Sequence, residues 1–122
     1  RHESYWRSRL NETPWTLDAH IRETVLQSMV SVCTYSNWIA YAIHVRSTHV
    51  HAVIGGEARP ERMLSALKAY ATRTLRSSDA SPRTRYWAYH GSTRYLWNQA
   101  SLKAAVEYVL DGQGARMSCH PK

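Results

Sequence analysis

The chain has 122 residues, 43% of them hydrophobic and 20% charged, which is enough for one domain and is an ordinary globular composition rather than a disordered one. Sixteen Lys and Arg, mostly Arg, oppose nine Asp and Glu for a formal charge of +7, a balance that points to nucleic acid as the partner. No apolar run approaches the roughly 20 residues that cross a bilayer, which excludes a membrane protein, and no signal-peptide pattern is present.

Residues 1–16 are polar, lack a clear period and end near the Thr13-Pro14 breaker, so they are expected to form an irregular lead-in. Thr16 is placed to cap a helix whose apolar stripe runs through Leu17, Ile21, Val25, Met29, Val32 and Cys33. Ser36-Asn37 breaks that pattern. Residues 38–45 and 49–54 are rich in β-branched and aromatic side chains and are joined by Arg46-Ser47-Thr48, which predicts an antiparallel hairpin. Pro60 opens a second helix with Leu64, Leu67, Ala71 and Leu75 inward and Arg62, Lys68, Arg73 and Arg76 outward. After a Ser/Pro loop, residues 86–96 read as a third strand, with Gly91 as a bend or bulge. Asn98 is placed to cap a last helix that Gly112 stops. The order α-β-β-α-β-α, without its last helix, is an α+β ferredoxin-like sandwich lacking its first strand. Cys33 and Cys119 lie far apart without CxxC spacing, so no disulfide framework is expected and a reducing cytoplasm is the expected setting.

Two local features carry chemistry. His49 and His51, two apart on a strand, project to one face and can present two imidazoles to a divalent metal. The plain alternative is a pair of polar residues on a solvated face. The last helix buries Leu102, Val106, Val109 and Leu110, which turns Tyr108 off the apolar stripe toward Ala104, Ala105 and Asp111. Tyr108 is there either as a reactive phenol or as a rim residue covering the helix edge. Asp111 and Gln113 could each add an oxygen ligand. His44 reads as a strand residue with a local partner, and His90, beside Gly91, as a phosphate contact.

Together these features resemble the single-tyrosine HUH transposases, the insertion-sequence and REP-associated tyrosine transposases. Segment 42–54, AIHVRSTHVHAVI, is similar to that family's HUH hairpin. Segment 63–75 is similar to the helix that follows it, and Gly91-Ser92-Thr93 with EYVLDGQ at 107–113 to its closing strand and tyrosine helix. The resemblance covers residues 17–114, leaving 1–16 as a lead-in and 115–122 as a tail. It implies an antiparallel HUH-endonuclease sandwich and a metal-dependent single-stranded DNA endonuclease and strand transferase. Tyr108 would form a 5′-phosphotyrosine intermediate, and His49, His51 and Gln113 or Asp111 would hold Mg²⁺ or Mn²⁺. The expected substrate is hairpin-marked single-stranded DNA, with Arg46, Arg62, Lys68, Arg73 and Arg94 as phosphate contacts. The expected location is the bacterial cytoplasm at the nucleoid, and the resemblance leaves room for a homodimer. Two features depart from the family pattern: the position four residues after the tyrosine is Gly112, with the glutamine at five, and no first strand is legible. An inactive relative that only binds DNA hairpins is the competing expectation. A basic domain with a structural metal is a weaker one, because closed structural sites usually have four ligands.

Overall fold

The computed structural model describes residues 2–10, 17–78, 86–88 and 91–122. The elements run β1 His2–Arg9, α1 Ala19–Tyr35, β2 Ile39–Val45, β3 His49–Gly56, α2 Pro60–Ser78, β4 Ser92–Tyr95, α3 Gln99–Asp111 and β5 Ser118–His120. The strands form one antiparallel sheet in the order β4-β1-β3-β2-β5. Its first four strands, with α1 and α2, are a complete ferredoxin-like βαββαβ unit.

The first strand is therefore present, and the expectation of an irregular lead-in is corrected. Residues 2–10 supply β1, which pairs with β3 along its whole length and with β4 on its other side. Its inward positions are Ser4, Trp6 and Ser8, all essentially fully buried. Two serines stand where an apolar alternation would show two hydrophobic residues, so the period-2 signal that marks a strand is absent.

The sheet has two dressed faces. Trp6, Ile43, Val45, Val50, Ala52 and Ile54 pack against α1 and α2, whose inward residues include Val25, Met29, Val32, Met63, Leu67 and Leu75. On the opposite face Ala42, Val53, Leu96 and Cys119 pack against Leu102, Ala105, Val109 and Leu110 of α3. A bulge between Ala40 and Ala42 lets Tyr41 and Ala42 both join this second core. β3 lies at the centre of the sheet, and every residue after His49 in it is buried.

Other boundaries shift for local reasons. The expected Thr16 cap falls outside the described residues, and Asp18 caps α1 by accepting from the Ile21 amide at 2.9 Å. Asn37, with φ of 59°, turns the chain out of α1 in the left-handed region. Of the expected strand 86–96, four residues form β4, while Trp87 makes an isolated bridge to Leu10. Gly91 precedes β4 rather than bending it, and His90 lies outside the described residues. Asn98 caps α3 as expected, accepting from the Ser101 amide at 2.8 Å. The expected tail 115–122 instead contributes β5, which pairs with β2.

Candidate active-site cleft

The site is built on the α3 face of the sheet. β3 alternation places His49 and His51 on that face with ring centroids 6.2 Å apart. The β1–β3 register sets Arg7 directly across from His51, and Tyr5 two residues further along β1. Tyr108 approaches from α3, its ring centroid 6.2 Å from that of His51 and 6.3 Å from that of Tyr5. The off-stripe phase expected for this tyrosine leaves it 49% exposed, in reach of a large substrate. Arg7, Arg46, His49, His51, Tyr108 and Gln113 line a single cleft of about 300 Å³, together with Ser47 and Thr48.

Each imidazole is held at Nδ1 by a hydroxyl. Thr48 Oγ1 lies 2.9 Å from His49 Nδ1, and Tyr5 Oη lies 2.8 Å from His51 Nδ1. With the proton on Nδ1, each ring donates to its hydroxyl partner and leaves the Nε2 lone pair available. Burial, the His49 ring and the charges of Arg7, His44 and Arg46 push His51 down to about 4, so near neutral pH the ring is uncharged. Burial and then Arg7, Arg9 and Arg46 lower His49 as well. Two neutral imidazoles are the protonation state that a cation requires of its ligands. The same arginines make the cleft attractive to an anion.

Gln113 donates from Nε2 to the Val109 carbonyl at 3.2 Å, which leaves its carbonyl oxygen as the atom able to ligate. Asp111 does not line the cleft. Its carboxylate is paired with Arg116 through two bonds of 2.7 and 3.0 Å, and that guanidinium holds it below the usual carboxylate range. Among the described residues, no three His, Cys, Asp or Glu side chains converge as a ligand group. The groups that could hold a cation are thus the two Nε2 atoms and the Gln113 amide oxygen.

Gly112 sits tightly against Tyr108. A Cβ at this position would sit 2.6 Å from Tyr108 Cδ1 and 2.9 Å from the Tyr108 carbonyl oxygen. A side chain at position 112 would therefore force a shift of the Tyr108 ring or backbone, and the amide side chain in the cleft is that of Gln113.

His44 stands opposite His51 in the β2–β3 register but takes no part in the cleft lining. It is fully buried, with Nδ1 2.8 Å from the Val109 carbonyl and Nε2 accepting from the Met117 amide at 2.9 Å. A neutral ring satisfies both bonds and ties β2 to the end of α3 and to the segment leading into β5.

The five basic residues expected at DNA divide between the two faces. Arg46 lines the cleft, donating to the Ala115 carbonyl at 3.0 Å. Arg94, on β4, stands directly opposite Tyr5 of β1, its guanidinium 5.3 Å from the Tyr5 ring centroid. Arg62, Lys68 and Arg73 lie on α2, on the opposite side of the sheet. Lys68 is half-buried over Trp87, which lowers its pKa, and Arg73 covers Tyr70 at 4.9 Å. Tyr5 and Arg7 were not anticipated, because their nearness to the histidines depends on a strand that the sequence conceals.

The fold is that of tyrosine transposase-like proteins. The structure is similar over 91% of this chain to a REP-associated tyrosine transposase solved bound to a REP hairpin, with a TM-score of 0.72 and 12% identity. This chain spans 66% of that protein's length. It is also similar, over 93% of this chain and 91% of the other, to a protein of Deinococcus radiodurans R1 provisionally assigned as a transposase, with a TM-score of 0.58 and 14% identity. No family model matches the sequence, and no curated protein matches it. Among the described residues, no helix is long and apolar enough to cross a membrane.

Proposed function

We propose that this protein nicks and rejoins single-stranded DNA at hairpin-marked sites, with Tyr108 as the nucleophile. The observation that carries the reading is the convergence of His49, His51, Tyr108, Gln113, Arg7 and Arg46 on one cleft. The structural neighbour that binds a REP hairpin suggests the same kind of substrate here. His49, His51 and Gln113 would hold Mg²⁺ or Mn²⁺, which when bound would neutralise charge on the scissile phosphate.

Arg7 and Arg46 attract the phosphate backbone and orient it over the cleft. Thr48 and Tyr5 hold the imidazole planes, so the site is assembled before DNA arrives. The Tyr108 oxygen attacks phosphorus, forming a P–O bond to the 5′ portion as the bond to the 3′ oxygen breaks. The phenolic proton passes to solvent, and the departing oxygen takes up a proton to become a free 3′-OH. One phosphodiester is exchanged for another, so a 3′-OH strand can reverse the step without an external energy source.

The test is a labelled hairpin-flanked oligonucleotide incubated with the protein and Mn²⁺, then run on a denaturing gel. A protein–DNA band that survives denaturation is the expected result. The second reading, a hairpin-binding relative without cleavage, is favoured by the sparse ligand set and by the engagement of Asp111 with Arg116. Hairpin binding with no adduct would establish it in place of the first.

A further inference from the structure

A second concavity adjoins Tyr108 and does not include the histidines. It has a volume of about 400 Å³, within the range of small-molecule sites, and runs between the end of β4 and the first turns of α3. Tyr108 lines both hollows. The rings of Tyr95 and Trp97 are stacked beside it, 4.8 Å apart and 16° from parallel. Trp97 is nevertheless 80% exposed, so the outer face of the indole is open. Ala104 and Ala105 line the α3 side with small side chains, and Arg94 extends over Tyr5 at the end nearest the cleft.

A large open indole beside a stacked tyrosine, a small-residue wall and an arginine suit a flat aromatic ligand that carries negative charge. Single-stranded nucleic acid has that chemistry, because each base offers a π-face and each linkage a phosphate. Bases within a duplex have both faces covered by their neighbours and cannot enter. We propose that this groove takes the unpaired nucleobase adjoining the phosphate that Tyr108 attacks, stacked on Trp97, with Arg94 on the neighbouring phosphate. Assigning that nucleotide to the scissile step rests on the nuclease reading above; the stacking does not.

The test compares two DNAs in EDTA, where binding is read without cleavage: a hairpin with an unpaired extension, and the same hairpin blunt-ended. Trp97→Ala should weaken binding of the extended hairpin by about tenfold and leave the blunt one within about twofold. Trp97→Phe, which keeps a π-face, should restore most of the loss. An abasic nucleotide next to the cleavage position should remove the difference between Trp97→Ala and the unmutated protein. Thermal melting of the variants serves as the folding control, and an exposed side chain is not expected to move it. Equal loss on both DNAs, loss on neither, or a difference that no abasic position removes would overturn the proposal. An adduct assay of the unmutated protein in Mn²⁺ separates the two readings. Trp97-dependent binding of the extension without an adduct would retain the base site and reject the nuclease. An adduct with Trp97-independent binding would do the reverse.

Discussion

In the proposed mechanism the Tyr108 side chain does one thing that its ring alone cannot. Tyr108→Phe removes the phenolic oxygen and keeps the packing on Tyr5 and His51, so DNA binding should persist while the covalent adduct disappears from a denaturing gel. His49→Ala or His51→Ala should also abolish cleavage but leave hairpin affinity largely intact, because arginines rather than imidazoles supply the binding charge. A variant of either histidine that cleaves normally would remove the metal from the reading. In the proposed mechanism Tyr5 is a positioning residue. Tyr5→Phe loses only the hydroxyl on His51 Nδ1, and the Mn²⁺ concentration for half-maximal cleavage should rise by about 10- to 100-fold, the usual cost of losing such a partner. The rate at saturating Mn²⁺ should recover, a split that a merely structural role would not produce. The histidine pair was legible because i and i+2 on a strand share a face whatever the strand's neighbours are. Tyr5 was not, since its place depends on which residue of β1 lies opposite which residue of β3.

At the scale of elements, α3 was the most legible, because its start and stop are written in single residues. Asn98 accepts from the Ser101 amide, and Gly112 ends the helix with its amide on the Tyr108 carbonyl. Its buried stripe is Leu102, Ala105, Val109 and Leu110, so Val106 is half-buried where full burial was expected and Ala105 is buried where it was expected beside Tyr108 on the outward face. That small rotation leaves the outward phase of Tyr108 unchanged. Asn98→Ala should cost about 1 kcal/mol of stability by thermal melting, the usual value of an N-cap, while Asn98→Asp should retain most of it. The hairpin of β2 and β3 was equally plain from its β-branched runs. β1 and β5 were hidden for different reasons. In β1 the inward serines erase the alternation, and its outward positions carry charges and rings belonging to the cleft. In β5 three residues, Ser118, Cys119 and His120, are too few for any period to show. β5 is anchored by pairing with β2 and by the Met117 amide on His44, contacts between residues more than 70 apart in sequence.

At the scale of the whole molecule, the net charge of +7 is distributed over both faces of the sheet rather than gathered in one stripe. Arg7, Arg46 and Arg94 border the α3 side, where the histidines and Tyr108 are, whereas Arg62, Lys68 and Arg73 ride on α2 across the sheet. Both groups would contribute to salt-dependent attraction, because each phosphate neutralised releases counterions, but only the first lies where a reacting phosphate would sit. Affinity for a hairpin oligonucleotide, measured by titration at several salt concentrations, should therefore fall steeply between 50 and 200 mM. The slope of log affinity against log salt should shrink by roughly 0.7 to 0.9 for each phosphate-contacting arginine replaced. Arg46→Ala should lower both the slope and the rate of adduct formation at saturating DNA. Arg73→Ala should lower the slope alone if α2 touches DNA, since it is too far from Tyr108 to act on the reacting phosphate. An unchanged slope in Arg73→Ala would confine the DNA to the α3 side, and the cation over Tyr70 would then serve the helix surface. A salt-independent affinity in the unmutated protein would overturn nucleic acid as the ligand, because no uncharged partner requires so many arginines on both sides of one small sheet.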